Sequence, residues 1–203
     1  MEKLMIIGAG GHGRVIADLA EKLNKYKEIA FLDDRVQDGT GFPVLGKLSD
    51  YTSFADKYEF IVGVGSNSVR KKIFNEICDK VQVVSLVHQC AILAKDVKMG
   101  KGTVIFAGAV INAGVELGDG VIVNTAAVVE HDCKVESFAH ICPRVALAGS
   151  VEVGENTFIG IGSSVVNNVK ICTNVLLGAG SVVVKNITEA GMYVGVPARK
   201  VVK

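Results

Sequence analysis

The 203-residue chain has no tryptophan, only three prolines and 6% aromatic residues, which excludes a core built around large rings. Its 22 basic and 21 acidic side chains leave a formal net charge of +1. No global field is available to hold nucleic acid or an anionic membrane surface, so neither is expected as a partner. Long apolar runs are also missing: the most apolar stretch, Val104 to Val115, contains Asn112 and is too short to cross a bilayer. Met1-Glu-Lys-Leu-Met-Ile-Ile runs straight into a glycine loop, without the longer apolar segment and cleavage site of a signal peptide. A cytoplasmic protein is expected. The five cysteines (Cys78, Cys90, Cys133, Cys142, Cys172) form no CxxC pair and have no histidine at zinc-ligand spacing, a pattern of reduced, buried thiols with no metal site.

What the chain has instead is glycine, at 23 residues, and valine, at 33. Small and β-branched residues in this proportion favour strands and tight corners. Residues 1–85 alternate short apolar runs with amphipathic segments: strands at Lys3–Ile7, Glu28–Leu32, Phe60–Val64 and Val81–Leu86, helices at Arg14–Leu23 and Ser66–Cys78, and a loop at Gly8–Gly13. This βαβ grammar predicts a small parallel sheet covered by helices, a Rossmann-like α/β domain.

From residue 86 to 203 the helical grammar disappears. Every sixth residue from Val87 to Val183 is aliphatic, a run with a chance probability on the order of 10⁻⁸. The fourth position after each is small or β-branched, as in Thr103, Ala109, Ala127, Cys133 and Ser163. A six-residue period with one large and one small inward residue describes an all-β prism whose corners turn on small or polar residues. Three hexads per turn would stack residues 18 apart, with Gly100, Gly118, Gly154, Gly160 and Gly178 in one recurring corner slot. The tail from Thr188 to Lys203 is expected to close the end of this solenoid.

Two constellations carry chemistry. Gly8-Ala9-Gly10-Gly11-His12-Gly13 reads G-x-G-x-x-G between a strand and a helix, with Asp33 and Asp34 about 20 residues on. Such glycines let backbone N–H groups approach a diphosphate at a helix N-terminus. The residues alone leave open a nucleotide sugar, another nucleotide, or a purely structural turn. A nicotinamide enzyme would need a larger sheet than 85 residues supply.

The second constellation is His131, flanked by Glu130 and Asp132, with His140 nine residues on. Imidazole titrates near neutral pH and suits a general base; a carboxylate beside it fixes the tautomer. The same histidine could equally decorate a solvated corner. Residue 149, one turn of 18 beyond His131, is glycine. A position without a side chain there leaves room for a thioester, and its N–H could stabilise an oxyanion. A metal site from His131, His140 and Asp132 is not expected, because hexad geometry fans these side chains apart.

The repeats resemble the left-handed parallel β-helix of hexapeptide-repeat acyltransferases. Together with GAGGHG (8–13), FLDD (31–34), VGVGSN (62–67), EHD (130–132) and VGVPARKV (194–201), the chain is similar throughout to one subgroup. That subgroup holds the UDP-4-amino-sugar N-acetyltransferases of bacillosamine-type biosynthesis and the sialic-acid O-acetyltransferases. The resemblance implies acetyl-CoA as co-substrate, no metal, a UDP-amino sugar as acceptor, and a homotrimer with active sites at subunit interfaces. By position it implies His131 as base with Asp132 as its carboxylate partner, and His140, Gly149, Ile161 and Ala179 against acetyl-CoA. Gly10, Gly11, His12, Asp33, Asp34, Gly65 and Asn67 would hold the nucleotide sugar, though Asn67 could instead cap the following helix. Asp132 departs from the glutamate usual in the N-acetyltransferases, leaving open whether Asp132 or Glu130 orients the ring. Arg199 or Lys200 could pair with CoA phosphates or equally serve as solvated tail charges. An O-acetyltransferase for sialic acid or another surface sugar is the alternative within the family; a non-catalytic, nucleotide-binding trimeric scaffold is the alternative outside it.

Overall fold

The computed structural model of the chain describes residues 2–35 and 40–202. It divides into two compact units, Met1–Gln89 and Cys90–Lys203. In the first, β1 (Glu2–Ile7), β2 (Tyr26–Leu32), β3 (Val44–Gly46) and β4 (Glu59–Val62) form a parallel sheet in the order β3-β2-β1-β4. Leu4–Ile7 and Ala30–Leu32 are continuous apolar runs because both faces of these central strands are buried. Two helices, α1 (Gly11–Lys22) and α2 (Asn67–Ile77), pack through Ile16, Ala17, Leu19 and Ala20, and through Ile73, Phe74 and Ile77.

Some local expectations are corrected. Helix α1 starts at Gly11, inside the glycine motif, where Arg14 N–H already donates to Gly10 O at 3.0 Å. Val81–Leu86 is not one strand: Val81 N–H still donates to Ile77 O at the end of α2, so pairing is confined to a bridge between Val83 and Phe60, before a short strand at Leu86–Val87. That short strand packs on α1, and this unit runs to Gln89. Strand β3 and a 3₁₀ helix at Leu48–Phe54 had no periodic signal to announce them.

The second unit is the prism. Residues pair in parallel at a register of 18, Ile122 with His140, Val128 with Ala146, and Lys134 with Glu152. Each turn contributes one two-residue strand to each of three faces. The first face carries His140–Ile141 between Ile122–Val123 and Phe158–Ile159; the second carries Val128–Val129 and Ala146–Leu147; the third carries Lys134–Val135 and Glu152–Val153. Inward residues from Ile105 to Val183 are buried, whereas Met99, in the first rung of the third face, is 38% exposed with no rung before it. Gly191–Val194 extends the first face beyond Val175–Leu177, and Arg199–Lys200 pairs antiparallel with it, so the tail closes that end of the sheet.

At the corners, every sixth residue from 102 to 180 has positive φ. Glycine takes this position at 102, 108, 114, 120, 162 and 180, but Asp132, Phe138 and Arg144 also adopt it, so the corners are less restricted to small residues than the repeat suggested. The recurring slot of Gly118, Gly154 and Gly160 lies two residues earlier and answers to crowding: a Cβ there would lie 2.5–2.6 Å from atoms of the next turn.

Candidate active site

In the N-terminal unit, the glycine motif divides its labour. Gly8 turns at φ +103°, and a Cβ on Gly13 would strike Gly8 O, so these glycines let α1 approach the sheet. Cβ positions on Gly10 and Gly11 meet nothing within 4 Å. Gly10 is the N-cap of α1 and no side chain caps the helix, so its first N–H groups are the type that accepts an anion. Gly10, Gly11, His12, Asp33, Asp34 and Gly65 all line one cleft of 350 Å³.

Both Asp33 oxygens accept from backbone N–H groups, Oδ2 from Ala9 at 2.7 Å and Oδ1 from Arg35 at 2.8 Å. Asp33 thus ties the glycine loop to the end of β2, while each oxygen keeps a lone pair for a ligand. Asp34 accepts from Leu48 N–H at 3.0 Å. Asn67 does not line the cleft, and the N-cap of α2 is Ser66. Its Oδ1 accepts from Arg70 Nη2 at 2.9 Å, and Arg70 Nη1 donates to the carbonyls of Val64 and Gly65 at 3.2 and 3.1 Å. Arg70, 1% exposed, holds the loop that forms the cleft wall. Sequence reasoning missed it, although an arginine in register with Ile73, Phe74 and Ile77 on the buried face of a helix was a visible signal. Burial, reinforced by the Arg70 charge, pushes the His12 imidazole down to about 4, so it is neutral at pH 7.

In the prism, His131 occupies the corner between the second and third faces. Its Nδ1 lies 2.9 Å from Asp132 Oδ2, whereas Glu130 Oε2 accepts from the His131 backbone N–H at 3.3 Å. Asp132, reaching round from its positive-φ corner position, is the carboxylate that orients the ring. Gly149 is one turn on, but the room it leaves is taken by the imidazole: a Cβ there would lie 2.5 Å from His131 Nε2 and 2.6 Å from Cε1.

The oxyanion candidacy of Gly149 rests on a different feature. At each corner the middle N–H falls outside the backbone ladder; side chains take it at Lys101, Asp119, Thr125, His131 and Glu155. The Gly149 N–H has no such partner among the described residues.

His140, 8% exposed, lies on the first face, its ring edge-to-face with Phe158 at 5.1 Å and its Nε2 3.1 Å from Asn124 Nδ2. Ile161 and Ala179 stack at the adjoining corner, between the first and second faces, and Ile161 is 53% exposed. His131, Asp132 and Gly149 form one group, and His140, Ile161 and Ala179 another. A single chain does not bring the two together, because the His131 corner is opposite the first face. Of the cysteines, Cys133 and Cys142 are buried, and burial pushes the Cys142 thiol up to about 12; Cys90 is exposed and Cys78 and Cys172 are half-buried, correcting the expectation of uniformly buried thiols. Arg199 Nη1 donates to Ala198 O, and Lys200 pairs with Glu189 at 2.7 Å. Among the described residues no three His, Cys, Asp or Glu side chains form a metal-binding group, and no helix is long and apolar enough to cross a membrane.

Residues 3–77 match the PglD N-terminal domain, and residues 150–185 match the bacterial transferase hexapeptide (six repeats). Among solved structures, the acetyltransferase domain of PglB from Neisseria gonorrhoeae FA1090, in complex with acetyl coenzyme A, is 40% identical with a TM-score of 0.96. The match covers 98% of this chain and 99% of that one. The chain belongs to the hexapeptide-repeat acetyltransferases with a PglD-type N-terminal domain. A second member of similar fold is a histidine-to-asparagine variant of perosamine N-acetyltransferase from Caulobacter crescentus, in complex with CoA and GDP-perosamine. It is 33% identical, with a TM-score of 0.93 and coverage of 98% of this chain and 96% of that one. The prism shares the left-handed β-helical fold of these acetyltransferases. A curated relative, UDP-N-acetylbacillosamine N-acetyltransferase of Bacillus subtilis (strain 168), is 36% identical over 115 residues, 53% of this chain; the chain spans about half of that relative's length, 52%.

Proposed function

We propose that the chain transfers the acetyl group of acetyl-CoA to the 4-amino group of a UDP-4-amino-4,6-dideoxy-N-acetylhexosamine. The observation that carries the mechanism is the single line Asp132 Oδ2, His131 Nδ1, His131 Nε2 and Gly149. With Nδ1–H donated to Asp132, Nε2 keeps the lone pair and takes a proton from the sugar amine. The amine nitrogen attacks the thioester carbon, and the oxygen of the tetrahedral adduct takes the Gly149 N–H. Collapse breaks the C–S bond, and the proton passes from His131 to the leaving CoA sulfur. No step uses a metal or a redox cofactor.

The nucleotide end of the sugar is assigned to the glycine cleft, where the open flank at Gly10 and Gly11 and the α1 N-terminus suit a diphosphate. Completing the site requires a second copy of the chain, since the acyl-donor residues His140, Ile161 and Ala179 lie away from the His131 corner. A homotrimer that sets the His131 corner of one copy beside the first face of the next supplies both halves, with the active site at the interface. UDP rather than GDP follows the bacillosamine relative; the GDP-perosamine complex of the Caulobacter member is the specific reason to test both.

The test is an acetylation screen with acetyl-CoA over UDP-4-amino sugars, GDP-perosamine and CMP- or free sialic acid, read by product mass. Turnover highest on a UDP-4-amino sugar supports the reading; turnover confined to a GDP sugar or to a sialic acid hydroxyl overturns it. Replacing His131 by alanine should lower kcat by 10²–10⁴, on the order of what a general base contributes.

A further inference from the structure

Arg70 stands where packing alone would place a leucine. It shares the buried face of α2 with Ile73, Phe74 and Ile77 and is 1% exposed. Taking a guanidinium out of water is costly unless its donors find acceptors, so its role is read from where those donors go. Nη1 donates to the carbonyls of Val64 and Gly65 at 3.2 and 3.1 Å, and Nη2 to Asn67 Oδ1 at 2.9 Å. Two consecutive peptide units are thereby held with their oxygens toward the buried side of the loop. In a trans peptide the N–H points opposite to the C=O, so the amides of those two units, Gly65 N–H and Ser66 N–H, turn away from Arg70. Neither makes a hydrogen bond among the described residues, and Gly65 lines the 350 Å³ cleft.

Gly65 also stands beside the start of α1: a Cβ on it would lie 3.7 Å from His12 Cβ. The first turn of α1 and the Gly65 N–H therefore border the same stretch of the cleft, the one assigned to the diphosphate. Released from Arg70, either peptide unit could flip and set a carbonyl oxygen against a phosphate. We propose that Arg70 is a positioning residue for the nucleotide diphosphate: by capturing the Val64 and Gly65 carbonyls it fixes the Gly65 N–H as a donor to a phosphate oxygen held at the α1 N-terminus. Asn67 serves the same end by holding Nη2, which gives it a part in nucleotide binding from outside the cleft. The inference rests on the reading that this cleft holds a nucleotide diphosphate.

The test measures dissociation constants of the assembled protein for UDP by calorimetry and for uridine by NMR titration, with KM for both substrates alongside. Arg70→Lys keeps the charge but loses the planar fork that holds both carbonyls and Asn67 at once. It should weaken UDP about tenfold, the effect of one lost hydrogen bond to a charged group, and leave uridine unchanged. KM for the nucleotide sugar should rise with the Kd for UDP, while KM for acetyl-CoA stays constant and kcat changes less. Asn67→Ala leaves the guanidinium on its two carbonyls and should weaken UDP about threefold; it decides the matter if Arg70→Lys does not fold. A role confined to stability predicts a lowered unfolding midpoint with the ratio of UDP to uridine affinity unchanged in both variants, and that result overturns the proposal. A wild-type protein that binds UDP no better than uridine overturns instead the nucleotide reading of the cleft on which the proposal rests.

Discussion

A single methyl group at position 149 decides whether His131 can sit where it does. Gly149→Ala would drive a Cβ to within 2.5 Å of Nε2, and the exposed imidazole would have to swing away from Asp132. The expected outcome is a fall in kcat comparable to His131→Ala with the thermal unfolding midpoint little changed, checked by kinetics and calorimetry on the same preparation. His12 gives a different residue-level prediction. The unfolded chain protonates it near 6.5 and the folded chain only near 4, so between those values the unfolded state holds more protons. Stability contributed by the neutral ring is complete above pH 6.5 and is lost as pH falls toward 4, by up to about 3 kcal/mol. Denaturant unfolding of His12→Asn against wild type across that window should show the slope reduced in the variant. At this scale the sequence singled out the candidate residues by spacing, EHD and the residue 18 beyond it, yet could not say that Asp132 rather than Glu130 reaches Nδ1. That choice depends on the positive φ at residue 132, which turns one carboxylate toward the ring and leaves the other on a backbone amide.

Among the elements, the 18-residue coil was legible because its inward positions repeat without insertion, and the same regularity explains how buried hydroxyls are tolerated. Thr157 Oγ1 donates to Cys172 O at 2.9 Å and accepts from Val175 N–H at 3.2 Å, so it bridges two turns from a fully buried site. Thr103 and Ser163 do the same, and Cys133 Sγ donates to Ala148 O in the equivalent place. Thr157→Val preserves shape but strands a carbonyl and an amide, and should lower stability by about 1–3 kcal/mol in chemical denaturation. The glycine-motif helix was harder to read. Its start at Gly11 rather than Arg14 follows from Gly8 completing the turn alone, a conformational fact that the motif's spacing does not carry. Arg70 escaped for a related reason: it acts on neighbours in space and belongs to no motif.

On the scale of the molecule, the three faces of the prism differ in chemistry. The outward positions of the third alternate Lys98, Glu116, Lys134, Glu152 and Lys170, with ion pairs of 2.7 and 2.8 Å at its ends. Those of the second are Ile92, Val110, Val128, Ala146, Ser164 and Val182, without a charge. The charged face suits water, whereas the second face, which borders the His131 corner, suits contact with another copy, and packing it against the first face of the next would serve the proposed divided site. Ala146→Glu should therefore yield a folded chain that sediments as a smaller species and has lost most acetyl transfer. Retention of both trimer and activity would point contact to another face. The axial direction of the turn-to-turn hydrogen bonds has a mechanical consequence as well. Tension applied along the prism loads one ring of bonds at a time, so the coil yields by unwinding successive 18-residue turns, each releasing roughly 60 Å of chain, rather than by breaking all at once.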